Sequence, residues 1–69
     1  MPESFGKNLR KARKAKGLTV AGLAEKAKVT IHSIYYWERD DKLPCLYNAI
    51  CVADALGVSL DWLAGRSNK

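Results

Sequence analysis

Two threonines eleven residues apart set the tightest limit on how this chain can fold. Thr19 and Thr30 are typical helix N-cap residues, because their hydroxyls accept hydrogen bonds from backbone N–H groups of the first turn. The interval between them leaves room for about two turns of helix, and Leu23, Ala24 and Ala27 give that helix one apolar face. We therefore expect a short helix, a tight turn and a second helix in this part of the chain.

The second helix of this pair has an aromatic outward face. Ile34 and Trp37 have the i, i+3 spacing of residues that face a core, and we expect Trp37 to be buried. The remaining faces carry Ile31, His32, Tyr35, Tyr36 and Arg39. Exposed aromatic residues either contact a partner or cover neighbouring apolar surface, and the residue type alone leaves both interpretations open.

The rest of the chain also has helical patterns. Ser4 and Ser59 are predicted N-caps of a first helix and of a short fifth helix, while Gly17 and Gly57 end the first and fourth helices. The predicted apolar stripe of the fourth helix consists of Leu46, Ala49, Ile50, Ala53 and Leu56. No segment alternates in the manner of a strand, so the predicted fold class is all-α with five short helices.

Size and charge limit the number of domains and the kind of partner. The 69 residues support one modest core, and we treat residues 1–69 as one domain. The net charge of +5 favours a polyanion such as nucleic acid. Half of the 12 basic residues lie in the first helix, at Lys7, Arg10, Lys11, Arg13, Lys14 and Lys16. Each lysine there either contacts a phosphate or belongs to a solvated face that attracts DNA from a distance.

Several classes of protein lack their signatures in this sequence. No apolar run reaches the roughly 18 residues of a membrane span, and the N-terminus has no apolar segment of a signal peptide, so we expect a cytoplasmic protein. His32, Cys45 and Cys51 would make an incomplete zinc site, and the two thiols are expected to be unpaired. With no phosphate-binding loop, paired acids or nucleophile beside a base, we expect no enzyme, cofactor, metal or small-molecule ligand.

The two capped helices have the spacing of a helix-turn-helix unit over about residues 20–39. Before this unit comes a basic helix that ends in Lys-Gly-Leu-Thr at 16–19; the unit itself ends in Trp-Glu-Arg at 37–39. A proline and then Ala-Leu-Gly-Val-Ser-Leu-Asp-Trp-Leu at 55–63 come after it. Together these segments resemble the Cro/CI-type (XRE-like) family of phage repressors and related bacterial regulators, over roughly Phe5 to Arg66. The resemblance implies a lambda-repressor-like fold.

The resemblance also implies a division of labour on DNA. The start of the second helix would meet a phosphate, the third helix would enter the major groove, and the loop after it would track the backbone. The implied DNA-binding residues are Thr19, Val20, Thr30, Ile31, His32, Ser33, Tyr35, Tyr36, Arg39 and Lys42. Among these, the resemblance puts Ile31, His32 and Tyr36 at base-reading positions.

Two structural contacts follow from the same resemblance. Arg13 and Glu38 match a pair that forms a salt bridge between the first and third helices in this family. Leu60 and Trp62 lie near the C-terminus, where this family often forms a dimer contact. Trp62 can belong either to the core or to such an interface, and partial exposure would indicate a partner.

Three positions depart from the family pattern. Val20 replaces a common Gln and can reach a phosphate only through its backbone N–H. Lys28 replaces a Gly in the turn and, if left-handed, costs on the order of 1 kcal/mol. Asp40 replaces another Gly and with Asp41 puts two negative charges near the expected path of the DNA backbone, so we expect weaker non-specific binding than the net charge suggests.

These observations predict a sequence-specific DNA-binding regulator of transcription, most simply a repressor that binds double-stranded DNA as a homodimer on a palindromic site. The alternative is a helix-turn-helix fold used as a protein-interaction module, because a fold does not determine a function. Modules of this kind are often the N-terminal part of a larger protein, so the chain can also be one piece of a longer regulator.

Overall fold

A computed structural model describes residues 4–66, which contain five helices and no strand. The helices are α1 (Phe5–Ala15), α2 (Val20–Ala27), α3 (Ile31–Glu38), α4 (Leu46–Leu56) and α5 (Leu60–Leu63). The predicted all-α, five-helix fold class is confirmed. The ends of the predicted domain, residues 1–3 and 67–69, lie outside the described residues. Among the described helices, none combines the length and apolar character that crossing a membrane requires.

Side-chain caps begin four of the five helices, as the sequence predicts. The hydroxyls of Ser4, Thr19, Thr30 and Ser59 each accept a hydrogen bond from the backbone N–H three residues later, at 2.9 to 3.1 Å. Each bond satisfies one of the N–H groups that the first turn of a helix leaves without a helical partner. Helix α4 begins differently, because its N-cap residue Cys45 makes no side-chain hydrogen bond.

A residue with positive φ lies at or just past the end of each of the five helices, at Gly17, Lys28, Asp40, Gly57 and Gly65. Gly17 and Gly57 have φ values of 71° and 70°, as expected just past a helix C-terminus. Lys28 adopts φ 62° at the end of α2, which confirms the left-handed conformation considered for it. The N–H of Val29 then bonds to the carbonyl of Ala24 at 3.0 Å, and this closes the tight turn between α2 and α3.

The core draws residues from every helix. Helix α1 packs against α3 and α5, α2 packs against α3 and α4, and α4 also packs against α5. The largest fully buried side chains are Leu9, Leu23, Ile34, Val52, Leu56 and Leu63. Trp37 is also buried, as predicted. Because α2 and α1 both hold α3 through its buried face, the opposite face of α3 remains at the surface.

The predicted apolar stripe of α4 is partly wrong. Leu46 is 71% exposed and Ile50 is 40% exposed, whereas Val52, absent from the predicted stripe, is fully buried. Ile50 and Val52 point in nearly opposite directions, since residues two apart on a helix are separated by about 200°. Helix α4 is apolar around most of its circumference, so its sequence allows more than one buried face. Its packing against α2 and α5 selects the face that carries Ala49, Val52 and Leu56.

The two cysteines of the sequence are not part of a metal-binding cluster in the described residues. Cys45 and Cys51 are free thiols, exposed and half-buried respectively. In the part of the chain that the structure describes, no three His, Cys, Asp or Glu side chains are grouped so that they could hold a metal ion.

Candidate nucleic-acid interface

The outward face of α3 presents large side chains to solvent. Ile31, Tyr35 and Tyr36 are 42%, 48% and 40% exposed, and His32 is exposed beside them. Burying such large apolar side chains against a partner would remove their apolar surface from water, which is favourable. The face is therefore available for a partner, and it holds four of the predicted DNA-binding residues.

The hydroxyls at the start of α3 are already engaged with each other. Thr30 Oγ1 accepts the N–H of Ser33 at 3.1 Å and donates to Ser33 Oγ at 2.9 Å. Thr30 is exposed and Ser33 is half-buried. Contacts that either residue makes with DNA must share these hydroxyls, because both already take part in capping the helix.

The start of α2 is also capped by a threonine hydroxyl, but the next residue, Val20, has no polar side chain. Thr19 Oγ1 accepts the N–H of Gly22 at 2.9 Å, while Val20 is half-buried and packs against the core. The side chain of Val20 therefore contributes to packing, and only the backbone at this position can serve a phosphate. The positive end of the α2 dipole provides the attraction for such an anion.

A cluster of charged and aromatic side chains lies at the end of α3. The guanidinium carbon of Arg39 lies 5.4 Å from the ring centre of Tyr36, and Lys42 Nζ lies 4.9 Å from the same centre. Both distances are in the cation–π range. Arg39 Nε also donates to Asp41 Oδ2 at 2.9 Å. Arg39 and Lys42, the two cations predicted to contact the DNA backbone, thus both lie over the ring of Tyr36. Arg39 also pairs with the Asp41 carboxylate.

The two aspartates after α3 each have a partner within the chain. Asp40 Oδ1 accepts the N–H of Gly6 at 2.9 Å, so this carboxylate caps the start of α1. Asp41 pairs with Arg39. The expectation that these two charges weaken non-specific binding of DNA stays a prediction.

The predicted Arg13–Glu38 salt bridge is confirmed. Arg13 Nε lies 2.6 Å from Glu38 Oε2, and a second guanidinium nitrogen donates to Oε1 at 3.2 Å. The third nitrogen donates to the carbonyl of Leu18 at 2.9 Å. The two side chains are only 11% and 9% exposed, so this two-pronged pair is largely shielded from water.

The basic residues of α1 and of its C-cap position, Lys16, are nearly all at the surface. Five of the six are exposed, namely Lys7, Arg10, Lys11, Lys14 and Lys16, whereas Arg13 is half-buried in its ion pair. Their combined charge makes this side of the molecule positive, and it attracts polyanions over about the 8–10 Å of a Debye length at physiological salt.

The two predicted dimer contacts line different grooves. Leu60 lines an open apolar groove of about 490 Å³ that also includes the exposed Leu43 and Leu46. Trp62 lines a separate groove of about 450 Å³, whose other residues include Lys11 and Lys16. Both side chains are half-buried and pack against the core. Leu60 therefore lies next to an uncovered apolar surface. Trp62 lies in a groove where two lysines border apolar residues.

Two residues of this site region were missed by the sequence reasoning. Gly6 receives the Asp40 carboxylate, and Asn8 is a buried polar residue that donates to the carbonyls of Trp62 and Leu63 at 3.1 and 3.2 Å. An Asn three residues after Phe5, on the apolar side of a helix, is the one sequence signal that could have indicated a buried hydrogen bond.

Solved structures of DNA-binding repressors have the same arrangement of helices. The chain matches the P22 c2 repressor, in a crystal structure with a synthetic operator, with a TM-score of 0.89, 28% identity and coverage of 94% of this chain and 98% of that one. It matches SinR from Bacillus subtilis, described as the master regulator for biofilm formation and solved in complex with DNA, with a TM-score of 0.82 and 32% identity. That match covers 86% of this chain and 95% of SinR.

Two curated sequences add relatives of the same class. The chain is 37% identical over 54 residues to the cryptic phage CTXphi transcriptional repressor RstR of Vibrio cholerae, covering 78% of this chain and 48% of RstR. It is 36% identical over 66 residues to the uncharacterized HTH-type transcriptional regulator YqaE of Bacillus subtilis, covering 94% of this chain and 57% of YqaE. The chain thus spans about half the length of these relatives.

The fold, the capped α2–turn–α3 unit and its exposed second helix define a lambda-repressor-like helix-turn-helix domain. The sequence profile of the helix-turn-helix family matches residues 9–63, and the chain belongs to this family.

Proposed function

We propose that this chain is a sequence-specific DNA-binding regulator of transcription, acting as a repressor, with α3 as its recognition helix. The exposed face of α3 carries this proposal, because Ile31, Tyr35 and Tyr36 stay at the surface of a helix whose opposite face is buried in the core. An α-helix fits the major groove of B-DNA, and the second helix of this unit is the one that enters it. The P22 c2 repressor was solved with a synthetic operator and SinR was solved in complex with DNA, and both support the same partner.

The side chains of α3 allow a specific kind of contact with base edges. Ile31 offers only apolar contact, which suits a thymine methyl group. His32 and Tyr36 can donate or accept hydrogen bonds, and Ser33 and Tyr35 lie next to them. The face has no Arg or Gln, so it lacks the common bidentate contacts and its specificity rests on apolar contact and single hydrogen bonds.

The flanking residues are proposed to hold the DNA backbone. Thr19 and Val20 lie at the positive end of α2, Thr30 lies at the start of α3, and Arg39 and Lys42 carry charge at its other end. Contacts to phosphates fix the position of the protein and carry little sequence information. DNA lies in the cytoplasm of a bacterial cell, so the proposal places the protein there.

We also propose that two copies bind a palindromic site as a homodimer. Half-sites about one helical turn of DNA apart, roughly 34 Å, require two recognition helices at that separation. The groove beside Leu60 supports this side of the molecule as the contact, because Leu43 and Leu46 leave apolar surface uncovered there. Trp62, in a separate groove lined by both apolar residues and lysines, is the second proposed contact.

The proposed function is tested by selecting bound sequences from a random DNA pool and then comparing variants on the selected site. The variant Tyr36→Ala removes a ring from α3, whereas Tyr47→Ala removes a ring from α4 that is more exposed, at 73% against 40%. We expect the first to weaken binding of the selected site by about tenfold or more and the second to leave it unchanged. Tyr36→Phe, which keeps the ring, separates the contribution of the hydroxyl.

The protein-interaction alternative has a distinct outcome in the same experiment. The apolar and aromatic character of the α3 face is the observation that favours it. If the pool yields no consensus sequence, and Tyr36→Ala and Arg39→Ala lose a protein partner while their weak DNA binding is unchanged, the alternative replaces the proposed function.

A further inference from the structure

We propose that Asp40 and Gly6 are positioning residues for DNA recognition: they join the end of α3 to the start of α1 and so set the angle at which α3 is presented. The inference rests on the proposed function, in which α3 is the recognition helix. Asp40 and Gly6 have no assigned role in contacting DNA. Three observations carry the inference, namely a hydrogen bond, a close backbone contact and a second attachment point further along α1.

The hydrogen bond joins parts of the chain that are far apart in sequence. Asp40 Oδ1 accepts the N–H of Gly6 at 2.9 Å across 34 residues. The N–H of Gly6, in the first turn of α1, is one of the groups that a helix leaves without a helical partner, and a carboxylate is favoured at this positive end. Asp40 holds its own backbone at φ 60°, a conformation that side-chain-bearing residues rarely adopt. The residue with this unfavourable backbone conformation is the one whose carboxylate caps another helix.

The backbones of α1 and α3 meet directly at Gly6. A Cβ atom at this position would lie 2.6 Å from the carbonyl oxygens of both Trp37 and Glu38 and 2.8 Å from Asp40 Oδ2. Two of these three atoms belong to backbone, which cannot turn aside as a flexible side chain does. Only glycine permits this approach, so the separation of the two helices at this end is set by backbone contact.

A second attachment lies further along α1. Arg13, about 10 Å from Gly6 along the helix at 1.5 Å per residue, holds Glu38 through two hydrogen bonds. Attachment at one point would allow α3 to pivot against α1, whereas attachment at two separated points opposes that rotation. The short turn at Lys28 holds the other end of α3 against α2.

Positioning of this kind affects specific binding more than non-specific binding. Hydrogen bonds to base edges require atoms within a narrow range of distance and angle, whereas attraction to phosphates tolerates small rotations of a helix. A change in the α1–α3 angle should therefore lower the affinity for the selected site and leave the affinity for unrelated DNA nearly unchanged.

The test compares three substitutions with a control for stability. Asp40→Gly removes the carboxylate and relieves the strained backbone, Asp40→Asn keeps an oxygen that can accept from Gly6, and Gly6→Ala forces the backbones apart. Val52→Ala lowers stability in α4, away from the α1–α3 contact. For each variant, the ratio of affinities for the selected site and for a scrambled site is measured at a temperature where circular dichroism shows the protein folded.

We expect Asp40→Gly and Gly6→Ala to lower this ratio by about tenfold, the size of one weakened base contact, with Asp40→Asn and Val52→Ala within threefold of the unmodified chain. Residual dipolar couplings, which report the orientation of α3 relative to α1 without DNA, should change in Asp40→Gly and Gly6→Ala only. If the couplings or the ratio stay the same in both variants, the inference is overturned. If the unmodified chain does not discriminate between DNA sequences, the proposed function itself is refuted. The role of the Asp40–Gly6 contact in recognition is then refuted as well, even if the couplings change in the variants.

Discussion

The Arg13–Glu38 pair offers a strong test of how the domain is held together, through the substitution Glu38→Gln. Both side chains are about nine-tenths buried, and Glu38 accepts two hydrogen bonds from the Arg13 guanidinium. The glutamine retains one carbonyl oxygen as an acceptor, and the bond from Arg13 to Leu18 remains. The variant therefore loses one charge-assisted hydrogen bond and leaves the buried guanidinium without its counter-charge.

The expected loss follows from these contacts. A hydrogen bond to a charged group contributes about 1.5–3 kcal/mol, and removing a whole partner from a buried ion pair costs about 3–5 kcal/mol. Since Glu38→Gln keeps part of the interaction, we expect the free energy of unfolding to fall by about 2–3 kcal/mol. For a chain of 69 residues the midpoint of thermal unfolding should fall by on the order of 10–20 °C.

The assay is urea denaturation followed by circular dichroism, with the exposed pair Arg39–Asp41 as a matched control. The side chains of that pair are 60% and 51% exposed, so Asp41→Asn should cost less than about 0.5 kcal/mol. A loss in Glu38→Gln no larger than the loss in Asp41→Asn would refute the reasoning, because it would mean that burial gives the Arg13 pair no additional strength.

Three further predictions follow from single residues of the structure. Lys28→Gly should raise the free energy of unfolding by up to about 1 kcal/mol because it relieves a left-handed residue; a lower value in urea denaturation would contradict this. Ile34→Ala, in a fully buried position, should cost about 2–5 kcal/mol in the same measurement, and a loss below about 1 kcal/mol would show that the site collapses. Asp41→Asn releases Arg39 and should steepen the salt dependence of binding to unrelated DNA by up to about 0.9 in log–log slope, as one added phosphate contact. Asp54→Asn changes the net charge by the same amount and should leave that slope unchanged. An equal steepening in both variants would mean that net charge alone sets the slope.

The features that the sequence predicted well are governed by short-range interactions or by resemblance. Four N-caps and the buried Trp37 depend on a residue and its neighbours within a turn or two of helix. The ion pair between Arg13 and Glu38 came instead from the resemblance to a known family, since spacing alone cannot pair residues 25 positions apart.

The features that the sequence predicted poorly depend on which surfaces meet. Ile50 and Val52 are equally apolar, and only the docking of α4 against α2 and α5 determined that Val52 is buried. The charge of Asp40 could be counted in advance, but its partner could not, because the N–H of Gly6 that donates to it lies 34 residues away in the sequence.

The sequence by itself determined that this chain forms five capped helices, that two of them make a helix-turn-helix unit, and that α3 has an aromatic outward face. Local hydrogen bonds and helical periodicity specify these features, and both act over a few residues. Only the tertiary structure decided how α3 is held, through the Asp40 carboxylate and the bare backbone at Gly6. The physical reason is that a long-range contact depends on how whole helices pack together, and this packing is shared among the residues of every helix.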